Sequence, residues 1–432
     1  MELIGLTDTF DIFIRLIIMF IIIIIIIITI AKSFLNNRDI FSPIKLYSAF
    51  NIFFYFDVFV NKYDILVVCS YALICLIILI LSFFESGNVH LKINKNVKFN
   101  ICKKIIISIW LFSIISIANQ LIIIIELGGV VNYIGNIAYR VEYFRGKGYV
   151  IILNNLIATM NVIYFSMMLV RSKSSKKAWV IFFIHFFIFV FIALLSGSRS
   201  FLLMTILVEI IIYHYVRKEF TPVKLLPYVI FIGVMIAVLG GIRNTVSTTD
   251  GELKLSSSND IKLENTHFRY GLIPMEIVFA SDEKPLLYGS TYASLITNFI
   301  PRIIYPEKLD SGGVAFTKIY TGDQWGGLSN LATGSITEGI INFGYPIGLI
   351  VGILILSAAL FSGLVLYARI PIFMLSNTSY IKIMLYVYFL LAASRLSYSE
   401  FSYTYYTYAL YYFIPAIGVI ALSKLISVRL TH

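Results

Sequence analysis

Cysteine, histidine and charge are all scarce in this chain. Its 432 residues include three cysteines and five histidines, and Asp, Glu, Lys and Arg together make up 13%. Cys69 and Cys75 fall within one apolar run and Cys102 stands apart, so neither a disulfide framework nor a thiol site is expected. His90, His185, His214, His267 and His432 are scattered over different segments without zinc-ligand spacing, and no metal or other cofactor is expected. The opening residues carry Glu2, Asp8 and Asp11 and lack the basic start and small-residue cleavage site of a signal peptide. The first apolar run is therefore read as a retained anchor.

What the chain has instead is apolar surface: 59% of its residues are hydrophobic and the mean hydropathy is +0.89, far above an average soluble domain. Runs of about 20 apolar residues mean spanning helices, because in lipid the backbone must satisfy its own hydrogen bonds. Barrel strands would be shorter and alternating. Such runs lie near 12–31, 43–60, 65–84, 105–126, 149–170, 179–196, 200–216, 225–241, 345–366, 383–397 and 405–423. The expected fold is an all-α polytopic membrane protein with about 11 transmembrane helices, within about 10–12. Residues 1–241 hold eight spans, 242–334 a large external loop, and 335–432 three more spans.

The Lys and Arg census sets the orientation. Lys32, Arg38 and Lys45, then Lys92 to Lys104, Arg171 to Lys177, Arg217 to Lys224, Arg369 with Lys382, and Lys424 with Arg429 mark every second loop, which the positive-inside rule makes cytoplasmic. The N-terminus and the 242–334 loop are then external. Lysine dominates the inner loops, whereas Arg15, Arg140, Arg145, Arg199, Arg243, Arg269, Arg302 and Arg395 fall outside. Arginine suits bidentate binding of phosphate, so Arg199, Arg243, Arg269, Arg302 and Arg395 are candidate ligands of an anion. The bland alternative for any one of them is contact with anionic lipid headgroups. Arg199 lies in "ALLSGSRSFLL", where Ser198 can cap the following helix and its free N–H groups favour an anion.

Within the large loop, "STYASLITNFI" places Leu295, Ile296, Phe299 and Ile300 at helical spacing behind Ser290 as a cap, which predicts an amphipathic helix on the membrane. Ser335 followed by Glu338 matches a capping box before an apolar run. A cap there and a catalytic carboxylate are level alternatives. Glu209 is an acid inside an apolar run, and interhelical hydrogen bonding is its favoured explanation. The chain has 29 tyrosines, seven of them in "YSEFSYTYYTYALYY". They fit an aromatic belt at the interface, or sugar-ring contacts from residues such as Tyr398 and Tyr403.

This layout resembles the bacterial oligosaccharide repeat-unit polymerases, the Wzy-type O-antigen polymerases. The resemblance is carried by "SGSRS" at an outer turn, "GGIR" opening the large loop, and "NFIPRIIYPEK" followed by "GSITEGIINFGYPIG". It implies a GT-C-like glycosyltransferase of the bacterial inner membrane acting on its periplasmic side. The growing glycan would pass from undecaprenyl diphosphate to a new lipid-linked repeat unit, with a chain-length regulator as partner and no part for nucleic acid. The chemistry needs positive charge for the departing diphosphate and a base for a sugar hydroxyl: Glu338 first, with His267 and Glu400 behind it. An external N-terminus departs from the family, whose members commonly start inside. An O-antigen ligase and a flippase of lipid-linked sugars are the alternatives.

Overall fold

The computed structural model describes residues 2–87, 103–135, 147–170, 175–196, 199–228, 230, 246–249, 252–255, 271–281, 285–300, 304–322 and 331–429. In chain order the helices are α1 Glu2–Asn36, α2 Pro43–Tyr55, α3 Ile65–Ser82, α4 Lys103–Glu126, α5 Val130–Gly135, α6 Gly148–Val170, α7 Lys176–Leu195, α8 Arg199–Val216, α9 Ile273–Ala280 and α10 Ser290–Thr297. They continue with α11 Gly312–Tyr320, α12 Gly334–Phe343, α13 Ile347–Ala368, α14 Ile370–Met374, α15 Ser379–Ser394, α16 Phe401–Tyr408 and α17 Ile414–Arg429. Between α8 and α9, strands β1 Val246–Thr249 and β2 Glu252–Leu255 pair antiparallel.

Eight described segments are long and apolar enough to cross a membrane: Asp11–Asn36, Ile65–Ser82, Lys103–Glu126, Gly148–Val170, Lys176–Leu195, Ile347–Ala368, Ser379–Ser397 and Phe401–Ile426. The chain is a polytopic helical membrane protein. Of the other three apolar runs, 200–216 forms a shorter apolar helix, 225–241 lies mostly outside the described residues, and 43–60 becomes α2 followed by a 3-10 turn at Phe56–Phe59.

The chain divides into two compact units interleaved in sequence. The first comprises Met1–Val89, Glu264–Arg369 and Phe389–Tyr408; the second comprises His90–Leu263, Ile370–Tyr388 and Ala409–His432. In the first unit α1 and α3 run in the same direction. Arg15 in the first half of α1 donates to the Tyr63 carbonyl just before α3, while Asn36 at the end of α1 donates to the Ser82 carbonyl at the end of α3. Two parallel neighbours need a returning segment, and α2 with its 3-10 turn supplies it. Two helical residues per 3 Å of rise make that segment about as long as α3. Ile44, Tyr47, Val58, Val67, Tyr71 and Ile74 from these segments join Ile336, Ile340, Leu349, Leu356 and Leu360 in one core. The start of α9 is tied to this group by the Leu272 N–H on Asp57, at 3.4 Å, and by the Asp64 N–H on Glu276, at 2.9 Å.

In the second unit α4 and α6 are joined by buried amides. Asn119 donates to Asn154 Oδ1 at 2.6 Å, and Asn154 donates to Gln120 at 2.9 Å. Such pairs hold helices together where apolar packing alone does not distinguish helix from lipid.

Candidate functional site: two buried carboxylates at helix starts

α12 folds back on the first turns of α13 through the Gly344–Pro346 turn, where Gly344 takes φ +73. Glycines line the seam. A Cβ on Gly352 would stand 2.8 Å from Ile336 Cα, and one on Gly339 would meet the Gly348 carbonyl oxygen and lie 2.9 Å from the Gly352 nitrogen. Only hydrogen fits, so the two backbones touch. This hairpin carries Glu338, the residue before Gly339, into the protein, where it is 0% exposed.

Three donors reach its carboxylate. Thr291 Oγ1, at 3.1 Å, and Ser402 Oγ, at 2.7 Å, donate to Oε1, and the Phe401 N–H donates to Oε2 at 2.6 Å. Thr291 lies in the first turn of α10, and Phe401 and Ser402 open α16. Glu338 thus sits where two helices begin, a position whose free N–H groups and dipoles favour an anion. Asn342, one turn along α12, donates to Thr291 Oγ1 at 2.7 Å and accepts from the Gly289 N–H at 2.9 Å. It orients the start of α10.

Glu400 is the second carboxylate, 6% exposed. It is held by the Gly313 N–H and the Ser311 hydroxyl at the start of α11, and it feels the charge of Arg395. Gly312 and Gly313 let the two carboxylates approach. A Cβ on Gly312 would stand 3.0 Å from Glu400 Cβ and 3.1 Å from Glu338 Oε1; one on Gly313 would stand 2.8 Å from the Leu331 carbonyl and 3.1 Å from Glu400 Oε1. Gly313→Ala must shift the backbone at the Leu331 contact and also crowds the Glu400 carboxylate. It should cost about 1–3 kcal/mol of stability, measurable by thermal unfolding in detergent.

Burial pushes the Glu338 carboxyl up to about 7; the negative charge of Glu400 adds to this, and the bonds from Ser402, Phe401 and Thr291 oppose it. Burial also raises Glu400, against the bonds from backbone N–H groups and the pull of Arg395. For Glu338 the folded protein holds its proton more tightly than the unfolded chain does. Its contribution to stability is therefore complete below the ordinary carboxyl value of 4.5 and is lost as pH rises through about 7. Base activity has the opposite slope, because only the carboxylate accepts a proton. Glu400→Gln removes the like charge and should move the rising limb of a pH–rate profile to lower pH.

Of the residues singled out from the sequence, the structure brings together Glu338, Glu400 and Arg395. Tyr398 stacks on Phe54 with ring centroids 4.6 Å apart, so one of its faces is taken, while Tyr403 is 43% exposed. Arg199 begins α8 in the second unit, and its side chain is outside the described set. Ser198, Arg243, His267, Arg269 and Arg302 lie outside the described residues. Two capping expectations are corrected. Ser335 donates to the Leu396 carbonyl at 3.1 Å and the helix is preceded by Thr333, with no side-chain cap. Ser290 is already helical, and Gly289 at φ +85 takes the cap position of α10. Ile296 of that helix is 72% exposed and Phe299 beyond it 42%, while Thr291 and Ser294 are buried. The apolar face therefore turns outward and the polar face inward. Sequence reasoning missed Thr291, Ser311, Gly312, Gly313, Asn342 and Ser402, small residues whose partners are distant in the chain. Glu209 is bonded across helices, as expected, by Asn161 Nδ2 at 2.7 Å.

No family model, no curated protein and no solved structure matches this chain.

Proposed function

We propose that the protein is a GT-C-like glycosyltransferase with about 11 spans that polymerises undecaprenyl-diphosphate-linked repeat units into O-antigen or a related surface polysaccharide. It would work at the periplasmic face of the bacterial inner membrane, beside a chain-length regulator. One observation carries this reading: Glu338 and Glu400, from segments far apart in sequence, meet in a dry site with Arg395 nearby. A sugar hydroxyl of the new unit attacks the anomeric carbon of the growing chain, the bond to the carrier diphosphate breaks, and the diphosphate leaves with the electron pair. Glu338, with a proton affinity near neutrality, accepts the hydroxyl proton. Arg199, Arg243, Arg269, Arg302 and Arg395, with Ser198, are the proposed ligands of the departing diphosphate.

Deleting the gene and displaying the surface glycan on a gel tests the reaction class. Lipopolysaccharide carrying one repeat unit supports a polymerase, and naked core with polymer still on the carrier points to a ligase. Arg199→Ala and Arg243→Ala should each abolish long chains at normal protein level, and full-length polymer from both would remove the diphosphate assignment. A transporter of lipid-linked sugars is the second reading. It is favoured by Glu209, an acid in the middle of an apolar helix, bonded to Asn161. Loss of a transporter leaves no displayed unit.

A further inference from the structure

The second unit contains a buried polar chain that the proposed transfer chemistry leaves unused. It joins Ser113 on α4, Asn161 on α6, His185 on α7 and Glu209 on α8, each near the middle of its helix. Ser113, Asn161 and His185 are wholly buried, and Glu209 nearly so.

Hydrogen-bond chemistry assigns the protons. Asn161 Nδ2 donates to Glu209 Oε1 at 2.7 Å, which turns the amide oxygen toward His185 Nδ1 at 3.0 Å. An amide oxygen only accepts, so His185 carries a proton on Nδ1. His185 Nε2 lies 2.7 Å from Ser113 Oγ, and that hydroxyl also has the Ile109 carbonyl at 2.9 Å. Directed to Nε2, the serine proton leaves a neutral imidazole. Directed to Ile109, it would require an imidazolium.

The surroundings select the neutral form. Asn161 stands between His185 and Glu209, so charges on both would be buried apart rather than paired, which is the costly arrangement. No Lys or Arg forms an ion pair with Glu209 among the described residues. Among the described residues, aromatic rings pack against these groups. Trp110 of α4 and Tyr164 of α6 meet the His185 ring edge-on at 5.1 and 5.7 Å. Tyr388 of α15 lies within electrostatic reach of Glu209 and stacks on Tyr412 at 3.6 Å.

A second observation marks the same place. Tyr412 belongs to a π-helical turn, Ala409–Phe413, and the Tyr411 carbonyl in that turn accepts the hydroxyl of Thr159, on α6 two residues before Asn161, at 2.7 Å. Such turns are frequent at functional sites. We propose that the Ser113–His185–Asn161–Glu209 chain is an intramembrane proton-binding site: Glu209 holds one exchangeable proton, and His185, neutral and protonated on Nδ1, orients Asn161 to donate to the Glu209 carboxyl group. Ionisable groups at this depth are the means by which membrane proteins respond to a proton gradient. None of its residues belongs to the Glu338 and Glu400 pair.

Infrared spectra of the whole protein in lipid at neutral pH should contain a protonated-carboxyl stretch that disappears in Glu209→Gln and fades in the wild type as pH is raised. The nitrogen resonances of His185, assigned as those missing in His185→Gln, should show one protonated and one bare nitrogen. A carboxyl absorption unchanged by Glu209→Gln, or an imidazolium pattern at His185, overturns the proposal. If the Gln variant does not fold, Glu209→Asp replaces it: the band should then shift, and a band that stays in place is equally fatal.

Discussion

Glu338→Gln is expected to lower polymer formation by about 10²–10⁴-fold, the usual contribution of a positioned general base. The effect on folding should be smaller but real. Glutamine can keep one oxygen for Thr291 and Ser402, but its amide nitrogen then faces the Phe401 N–H, where Glu338 Oε2 now accepts at 2.6 Å. Two donors facing each other in a dry site cost about 1–3 kcal/mol. Chain length on a gel must therefore be read alongside the amount of folded protein in the membrane. Short or absent chains at normal protein level support Glu338 as the base, and wild-type chain lengths remove it from that role. Glu338→Asp separates charge from reach, since it keeps the carboxylate but withdraws it from Ser402 and Phe401. A base that must touch the hydroxyl fails in this variant too, whereas a carboxylate that only anchors α10 and α16 loses stability without a change in the pH–rate profile.

Gly339→Ala is expected to have the largest structural effect. Its methyl group would meet the Gly348 carbonyl oxygen and lie 2.9 Å from the Gly352 nitrogen. Both obstacles are backbone within α13, so no rotamer change relieves them, and the α12–α13 hairpin must open. Overpacking of this kind reaches or exceeds the upper end of about 1–3 kcal/mol. The neighbouring Glu338 moves with the helix, so activity should fall as well. Gly363→Ala on the same α13 is the control, because its new methyl would have only Pro43 Cβ in reach, at 3.8 Å. Yield of monodisperse protein and melting temperature in detergent should drop sharply for Gly339→Ala and stay near wild type for Gly363→Ala. Equal behaviour of the two would mean that the hairpin is not closed as described.

Several features were legible in the chain itself because they depend on composition or local period. Long apolar runs demand helices in lipid whatever surrounds them, and most of the expected spans appear close to their expected bounds. Glu338 and Glu400 stand out as acids beside apolar segments, and Glu209 as an acid within one. The capping box at Ser335 failed for a physical reason. A local pattern cannot weigh a competitor from elsewhere, and the N–H of Phe401 with the hydroxyls of Ser402 and Thr291 claimed the Glu338 carboxylate instead. α10 shows the same limit. Its helical spacing was readable, but the spacing alone did not say that its polar side would face the first unit's interior.

By itself, then, the sequence determined a helical membrane protein, the approximate bounds of most spans, and which few side chains bring charge into apolar surroundings. Only the tertiary structure decided that Glu338 and Glu400 lie against the same glycine pair, that α1 and α3 run parallel with α2 returning between them, and that His185 is linked to Glu209 through Asn161. Spans follow from the solvent, which acts on every residue alike. Pairings follow from which surfaces lack a Cβ and which donors lack a partner, and those are known only once distant segments have been brought together.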